Sequence, residues 1–110
     1  SSLRPDGETL MRKAKDRLSE GAYRVGFYYF RARWYQGAVS RFKEVLAADP
    51  GFTQRDAVYF YLAESLLRQN QKAEALPYFE RLLKEFSQSS YLDDAKRRVA
   101  ELKSAPLAQR

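Results

Sequence analysis

The chain has 110 residues, 45% of them hydrophobic and 31% charged, a globular rather than a disordered composition and enough for one domain, or a piece of one, with a modest core. It has no Cys and no His, which excludes disulfides, thiolate metal sites and the usual neutral-pH general base; no apolar run approaches the roughly 20 residues that span a bilayer. The formal charge of +6 is uneven, with 11 Lys/Arg against 6 Asp/Glu in residues 1–55 and 9 against 8 in residues 56–110. Such a bias suits an acidic protein partner, a nucleic acid or an anionic lipid surface, and chooses none of them.

Residues 1–7 read as a flexible lead-in, and Arg4, Pro5, Asp6 and Gly7 interrupt any apolar region that a signal peptide would need. The chain begins in a polar segment without Met, so a fragment of a longer protein is expected. A first helix is expected from Glu8 to Ser19, with Leu10, Met11, Ala14 and Leu18 at helical spacing and Arg12, Lys13, Lys15 and Arg17 on a solvated face. Gly21 either breaks this helix or lets it run on to Arg33.

A second helix, Ala22 to Arg33, carries two apolar stripes. Val25, Gly26, Tyr29 and Ala32 form one, with Gly26 admitting a close neighbour; Tyr23, Phe27 and Phe30 form the other. The second stripe is covered by the first helix or faces a partner. After a tight turn at 32–34, a third helix runs from Tyr35 to Ala48 with Ala38, Val39, Phe42, Val45 and Leu46 inward, and Asp49-Pro50-Gly51 ends it. The fourth starts after Thr53 as N-cap, or at Asp56, and buries Val58, Tyr59, Leu62, Ala63, Leu66 and Leu67. A turn at 70–72 leads to the fifth helix, ending at Phe86, in which Pro77 is expected near the first turn, where its missing donor costs little. A polar break at 87–90 precedes a last helix, Tyr91 to Lys103, with Leu92, Ala95, Val99 and Leu102 inward; residues 104–110 are a tail.

An internal repeat organises these elements. At an offset of 37, Ala38, Phe42 and Leu46 fall on Ala75, Phe79 and Leu83, while Gly26 falls on Ala63 and Val25 on Leu62. Helix pairs with small residues at fixed points signal a helical solenoid, and tetratricopeptide repeats of roughly 34 residues are the nearest type. The expected fold is all-α, about six helices, in one domain over 8–103: repeats at about 19–52 and 56–89, and a capping helix at about 91–103 with a polar outer face.

Little here could carry chemistry. Asp93-Asp94 suits a helix start, Ser40 and Ser65 lack an activating base, and no phosphate loop is present. No catalytic residue, metal ligand, cofactor or small-molecule substrate is expected. The aromatics suit packing better than nucleic-acid stacking. A binding surface remains. In paired-helix solenoids the first helix of each pair lines the inner face, where the offset matches Tyr23 with Phe60, Phe27 with Glu64 and Arg31 with Arg68; with Phe30 these give an expected aromatic and cationic groove for a protein partner.

Lys15-Asp16-Arg17-Leu18, Tyr28-Tyr29, Trp34, Arg41 before Asp49-Pro50, Thr53-Gln54-Arg55-Asp56-Ala57 and Arg68-Gln69 together resemble the late repeats of the BamD (YfiO-like) lipoproteins of outer-membrane protein assembly, over most of residues 10–86. The resemblance implies a non-catalytic scaffold at the periplasmic face of the outer membrane of a Gram-negative bacterium. Its partners would be the periplasmic domain of the barrel-assembly subunit, with Arg41 matching a basic docking position, and accessory lipoproteins. A membrane would be met only through the family's lipid anchor, which is absent from this sequence. Ser87 departs from the Pro usual at a repeat end, and the likeness weakens beyond Phe86. Another periplasmic repeat adaptor, serving the cell envelope or cell division, is the second reading, and a basic nucleic-acid-binding helical domain the third.

Overall fold

The computed structural model describes residues 6–104, which form five helices: α1 (Gly7–Arg31), α2 (Tyr35–Ala48), α3 (Arg55–Arg68), α4 (Lys72–Glu85) and α5 (Leu92–Ser104). Consecutive helices pack on one another, giving an elongated body of 59 × 27 × 19 Å. The expected lead-in and tail lie outside the described residues except at their inner ends, where Asp6 caps α1 by accepting a hydrogen bond from the Thr9 N–H at 2.7 Å, and Ser104 closes α5.

The two helices expected at 8–19 and 22–33 are one. Gly21 costs about 1 kcal/mol relative to Ala in a helix interior, and the clasp at the amino-terminal end of α1 offsets it. Arg12 and Ser19 both donate to the Asp49 carboxylate after α2, Ser19 at 2.6 Å, and Asp16 accepts from the Thr53 N–H and Oγ1 at 3.2 and 2.8 Å. The Arg12 hydrogen bond, with help from Ser19, holds the Asp49 carboxyl below its ordinary value. Thr53 is thereby taken by α1; Gln54 stands at the start of α3 without a side-chain cap.

A continuous α1 cannot fold back over its own second half, so the Leu10, Met11 and Leu18 stripe faces outward. The core-facing side of α1 is instead Ser19, Gly26 and the half-buried Tyr23, Phe27 and Phe30. Of the other expected stripe, only Gly26 is buried; Val25 and Ala32 are exposed, and Tyr29 packs on Trp34. The remaining core follows the expected faces: Ala38, Phe42 and Val45 on α2, Val58, Leu62, Ala63 and Leu66 on α3, Ala75, Phe79 and Leu82 on α4, Ala95 and Leu102 on α5. Pro77 lies further into α4 than the first turn, at an exposed position where the carbonyl it leaves without a donor is open to water.

The 37-residue offset is also written in the backbone. Arg33 and Asn70 both adopt left-handed geometry, with φ of 64° and 60°. The N–H groups of Trp34 and Gln71 reach back to the carbonyls of Tyr29 and Leu66, at 2.9 Å in both turns. This is the pattern in which a left-handed residue closes a helix end, a place Asn tolerates and Arg does not favour.

The glycines of α1 and the left-handed Arg33 set different outcomes for stability. A Cβ on Gly26 would stand 2.6 Å from the fully buried Phe42 ring, whereas one on Gly21 meets nothing within 4 Å. Urea unfolding should show Gly26→Ala losing about 1–3 kcal/mol, partly recovered with Phe42→Leu, and Gly21→Ala gaining about 0.5–1 kcal/mol. In the same assay Arg33→Gly should gain about 0.5–1 kcal/mol, the relief of left-handed strain less the added freedom of the unfolded chain.

Candidate functional site

A ribbon of aromatic rings crosses from α1 through α3 to the start of α5. Tyr23 stacks on Phe27 at 6.1 Å; Phe27 and Phe30 meet Tyr61 at 4.8 and 5.1 Å; Tyr61 and Phe60 meet Tyr91 at 5.6 and 5.0 Å. Pairs of this kind contribute about 0.5–1.5 kcal/mol beyond area burial. The helical period places them together: Tyr23, Phe27 and Phe30 are four and three residues apart, so all three point from α1 towards α3. Burial pushes the Tyr61 phenol up to about 12, and the adjacent Tyr91 adds to the effect; Tyr23 is raised further, again chiefly by burial.

Two arginine arrangements complete this side. Arg68 lies over the rings of Phe30 and Tyr35, 5.7 Å from each centroid, and donates to the Tyr35 hydroxyl at 3.1 Å. Arg98 on α5 grips the buried Glu64 with two parallel bonds, Nε to Oε2 at 2.7 Å and Nη2 to Oε1 at 2.9 Å, and reaches Glu101 at 3.1 Å. The Glu64 hydrogen bonds raise the Arg98 pKa despite partial burial, as expected for a forked pair.

Placement of the expected residues is mixed. Tyr23, Phe27 and Phe30 line the ribbon half-buried, Arg68 closes it, and Arg31 is exposed beside it without an ion pair among the described residues. Phe60 and Glu64 correct the expectation of a free surface. Phe60 is 9% exposed between Phe79 and Tyr91, and Glu64 is 5% exposed under Arg98. Phe60 is covered by Phe79 of α4 and by Tyr91 just before α5, and Glu64 by Arg98 of α5, whereas Phe27, the counterpart of Glu64, meets Tyr61. Arg41 is not part of the ribbon. It stands on α2 in a hollow of about 410 Å³ shared with Tyr29, Trp34 and Gly37, 5.9 Å from the Tyr29 ring centroid and 3.5 Å from Glu44.

Sequence reasoning missed Tyr61, Tyr91 and Arg98. Tyr61 is adjacent to Phe60, off the inward stripe of α3, and Tyr91 ends a polar break; an aromatic outside the core period was the available signal. Nothing in the sequence pairs Arg98 with Glu64, 34 residues earlier. The two serines considered for chemistry are accounted for structurally or left outside: Ser65 is fully buried and donates to the Tyr61 carbonyl at 2.7 Å, and Ser40 lies on the exposed side of α2. Asp93 and Asp94 fall in the first turn of α5, where Asp94 pairs with Arg97 at 3.1 Å.

Compared with known families, residues 29–99 match the tetratricopeptide repeat. No curated protein and no solved structure matches the chain.

The half-buried phenols predict an alkaline limit. Burial raises Tyr61 above its ordinary value of 10, so the unfolded chain releases this proton first. The contribution to stability is whole below pH 10 and drains away as pH rises to about 12. Absorbance titration should show Tyr61 ionising late, and Tyr61→Phe should flatten the fall of unfolding free energy over that interval. An unchanged fall in Tyr61→Phe would mean that the phenol is solvated.

Proposed function

The chain belongs to the tetratricopeptide-repeat family, and from that premise we propose that it is a non-catalytic scaffold that binds a protein partner along the side shared by α1, α3 and α5. The single observation that carries this reading is the aromatic ribbon of Tyr23, Phe27, Phe30, Tyr61 and Tyr91, bordered by Arg31 and Arg68. Tyr and Arg concentrate binding energy at interfaces because they combine large rigid contact area with a polar end. Phe60 and Glu64 act from beneath, the one packing Tyr91 and the other fixing Arg98. Within this proposal the repeats are residues 19–52 and 56–89, and α5 caps them, burying Ala95 and Leu102 while Lys96 and Arg97 face water.

The finer reading is a BamD-type component of outer-membrane β-barrel assembly, working at the periplasmic face of the outer membrane. Its support is the resemblance over residues 10–86, together with the position of Arg41. That side chain is half-exposed, free to exchange its 3.5 Å contact with Glu44 for an acidic group on a partner, and set beside the exposed Trp34. The partner would be the periplasmic domain of the barrel subunit, with accessory lipoproteins on other faces.

Calorimetry with that periplasmic domain tests the reading. Wild type should bind, and Arg41→Glu should lose a few kcal/mol, by roughly the cost of truncating and then reversing one charge of a docked pair. Because Arg41 is outside the core, the variant should keep its helical circular dichroism. Failure of wild type to bind would replace the assembly reading with that of another periplasmic repeat adaptor.

A further inference from the structure

The six large apolar side chains that remain exposed among the described residues, Leu10, Met11, Leu18, Val25, Tyr28 and Trp34, all lie on α1 or in the turn after it. Four of them keep a regular seam. Met11, Leu18 and Val25 are seven residues apart, with Ala14, Gly21 and Tyr28 interleaved at the same period, and every one is exposed. Alternation by three and four is the spacing by which one helix receives another. Small residues at Ala14 and Gly21 let a backbone approach, and a Cβ at Gly21 would meet nothing within 4 Å. Beside the seam runs a groove of about 330 Å³ whose apolar walls include Leu18, Ala22, Val45 and Ala48.

The internal repeat says what kind of element fits. By the 37-residue offset, Gly21, Val25 and Tyr28 correspond to Val58, Leu62 and Ser65 on α3. Those three are fully buried, on a helix that packs between α2 and α4. On α1 the equivalent positions are exposed, with no helix over them among the described residues. Charge says which helix. Along the seam's other flank Arg17, Arg24 and Arg31 recur every seven residues, and among the described residues only Arg24 of the three has an ion pair, with Glu20 at 3.0 Å.

We infer that the outer face of α1 is a docking groove for an amphipathic helix of a partner protein with acidic residues along the flank that meets Arg17 and Arg24. A second copy pairing α1 with α1 antiparallel is disfavoured, because it sets the arginine column against itself. A membrane surface is disfavoured by shape, since the groove lies in a valley beside α2 whose walls also carry the carboxylates of Glu44 and Asp49. The seam shares Arg31 with the border of the aromatic ribbon, but Met11, Leu18, Val25, Arg17 and Arg24 belong to neither the ribbon nor the Arg41 hollow, so the inference is tested at those residues independently of the function proposed above.

The test uses two synthetic amphipathic peptides of roughly four heptads with identical Leu seams, one flanked by Glu and the other by Lys. By calorimetry the Glu-flanked peptide should bind, the Lys-flanked one at least about tenfold more weakly, and binding should weaken as salt rises. Leu18→Glu should abolish binding. Arg17→Glu with Arg24→Glu should invert the preference between the peptides. All three positions are exposed, and circular dichroism confirms that each variant folds. Equal affinity for both peptides, or no binding of the Glu-flanked one, overturns the inference. So does sedimentation as a dimer that Leu18→Glu dissociates, or stronger binding to anionic phosphatidylglycerol vesicles than to the peptide.

Discussion

The approach of α1 to α2 at Gly26 is the constraint on which the rest of the structure depends. Phe42 is fully buried and its ring occupies the space that any side chain at 26 would need. From that position it also meets Tyr23 at 5.8 Å, one turn earlier on α1. The second helix pair repeats this geometry by the same offset, with Phe60 meeting Phe79 at 5.9 Å and Ala63 in the place of Gly26. A small residue opposite a Phe, with an aromatic three residues before it, is therefore the packing rule of both pairs. The first pair is the tighter of the two by one methyl group, which leaves no slack in a closely packed interior.

What sets the pairs in series is polar. In each helix pair a residue of the first helix is tied to the connection after the second: Ser19, midway along α1, to Asp49, and Asp56, at the start of α3, to Ser89 at 2.6 Å. Ser19 and Asp56 are equivalent by the offset, so donor and acceptor have changed places while the tie is kept. The first repeat adds Arg12 and Asp16, which hold the longer α1 to the 49–53 connection. Those contacts use only the side of α1 that faces α2 and α3. They make the extension rigid and leave its outer seam unpaired.

This division explains how far the sequence could be read. Four helices were legible to within a residue or two, because the apolar positions of 35–48, 55–68, 72–85 and 92–104 keep a clean helical period and Asp49-Pro50 and Asn70 punctuate them. The continuity of α1 was not, since Gly21 weighs against a helix locally and the Arg12, Asp16 and Ser19 ties that outweigh it are made to residues 30 to 37 positions away. Its apolar stripe was legible as a stripe but not as an exposed one, because periodicity reports that a face is apolar and not whether anything covers it. In the candidate groove Tyr23, Phe27 and Phe30 could be read from spacing. The burial of Phe60 and Glu64 could not, because it depends on where α5 lies.

The departure from repetition at Phe27 and Glu64 also bears on what a partner must look like. Both positions face along the same side, yet Phe27 meets the ring of Tyr61 while Glu64 meets the guanidinium of Arg98. The inner side therefore changes from apolar at α1 to ionic at α5 within one repeat. A desolvated pair such as Glu64 and Arg98 adds less stability than apolar packing of equal volume, but losing either member leaves a charge uncompensated. Arg98 keeps one bond to the exposed Glu101, so its guanidinium is the point where a partner's carboxylate could enter without breaking the buried fork. Across this side the surface thus runs from rings at α1 to a charged fork at α5.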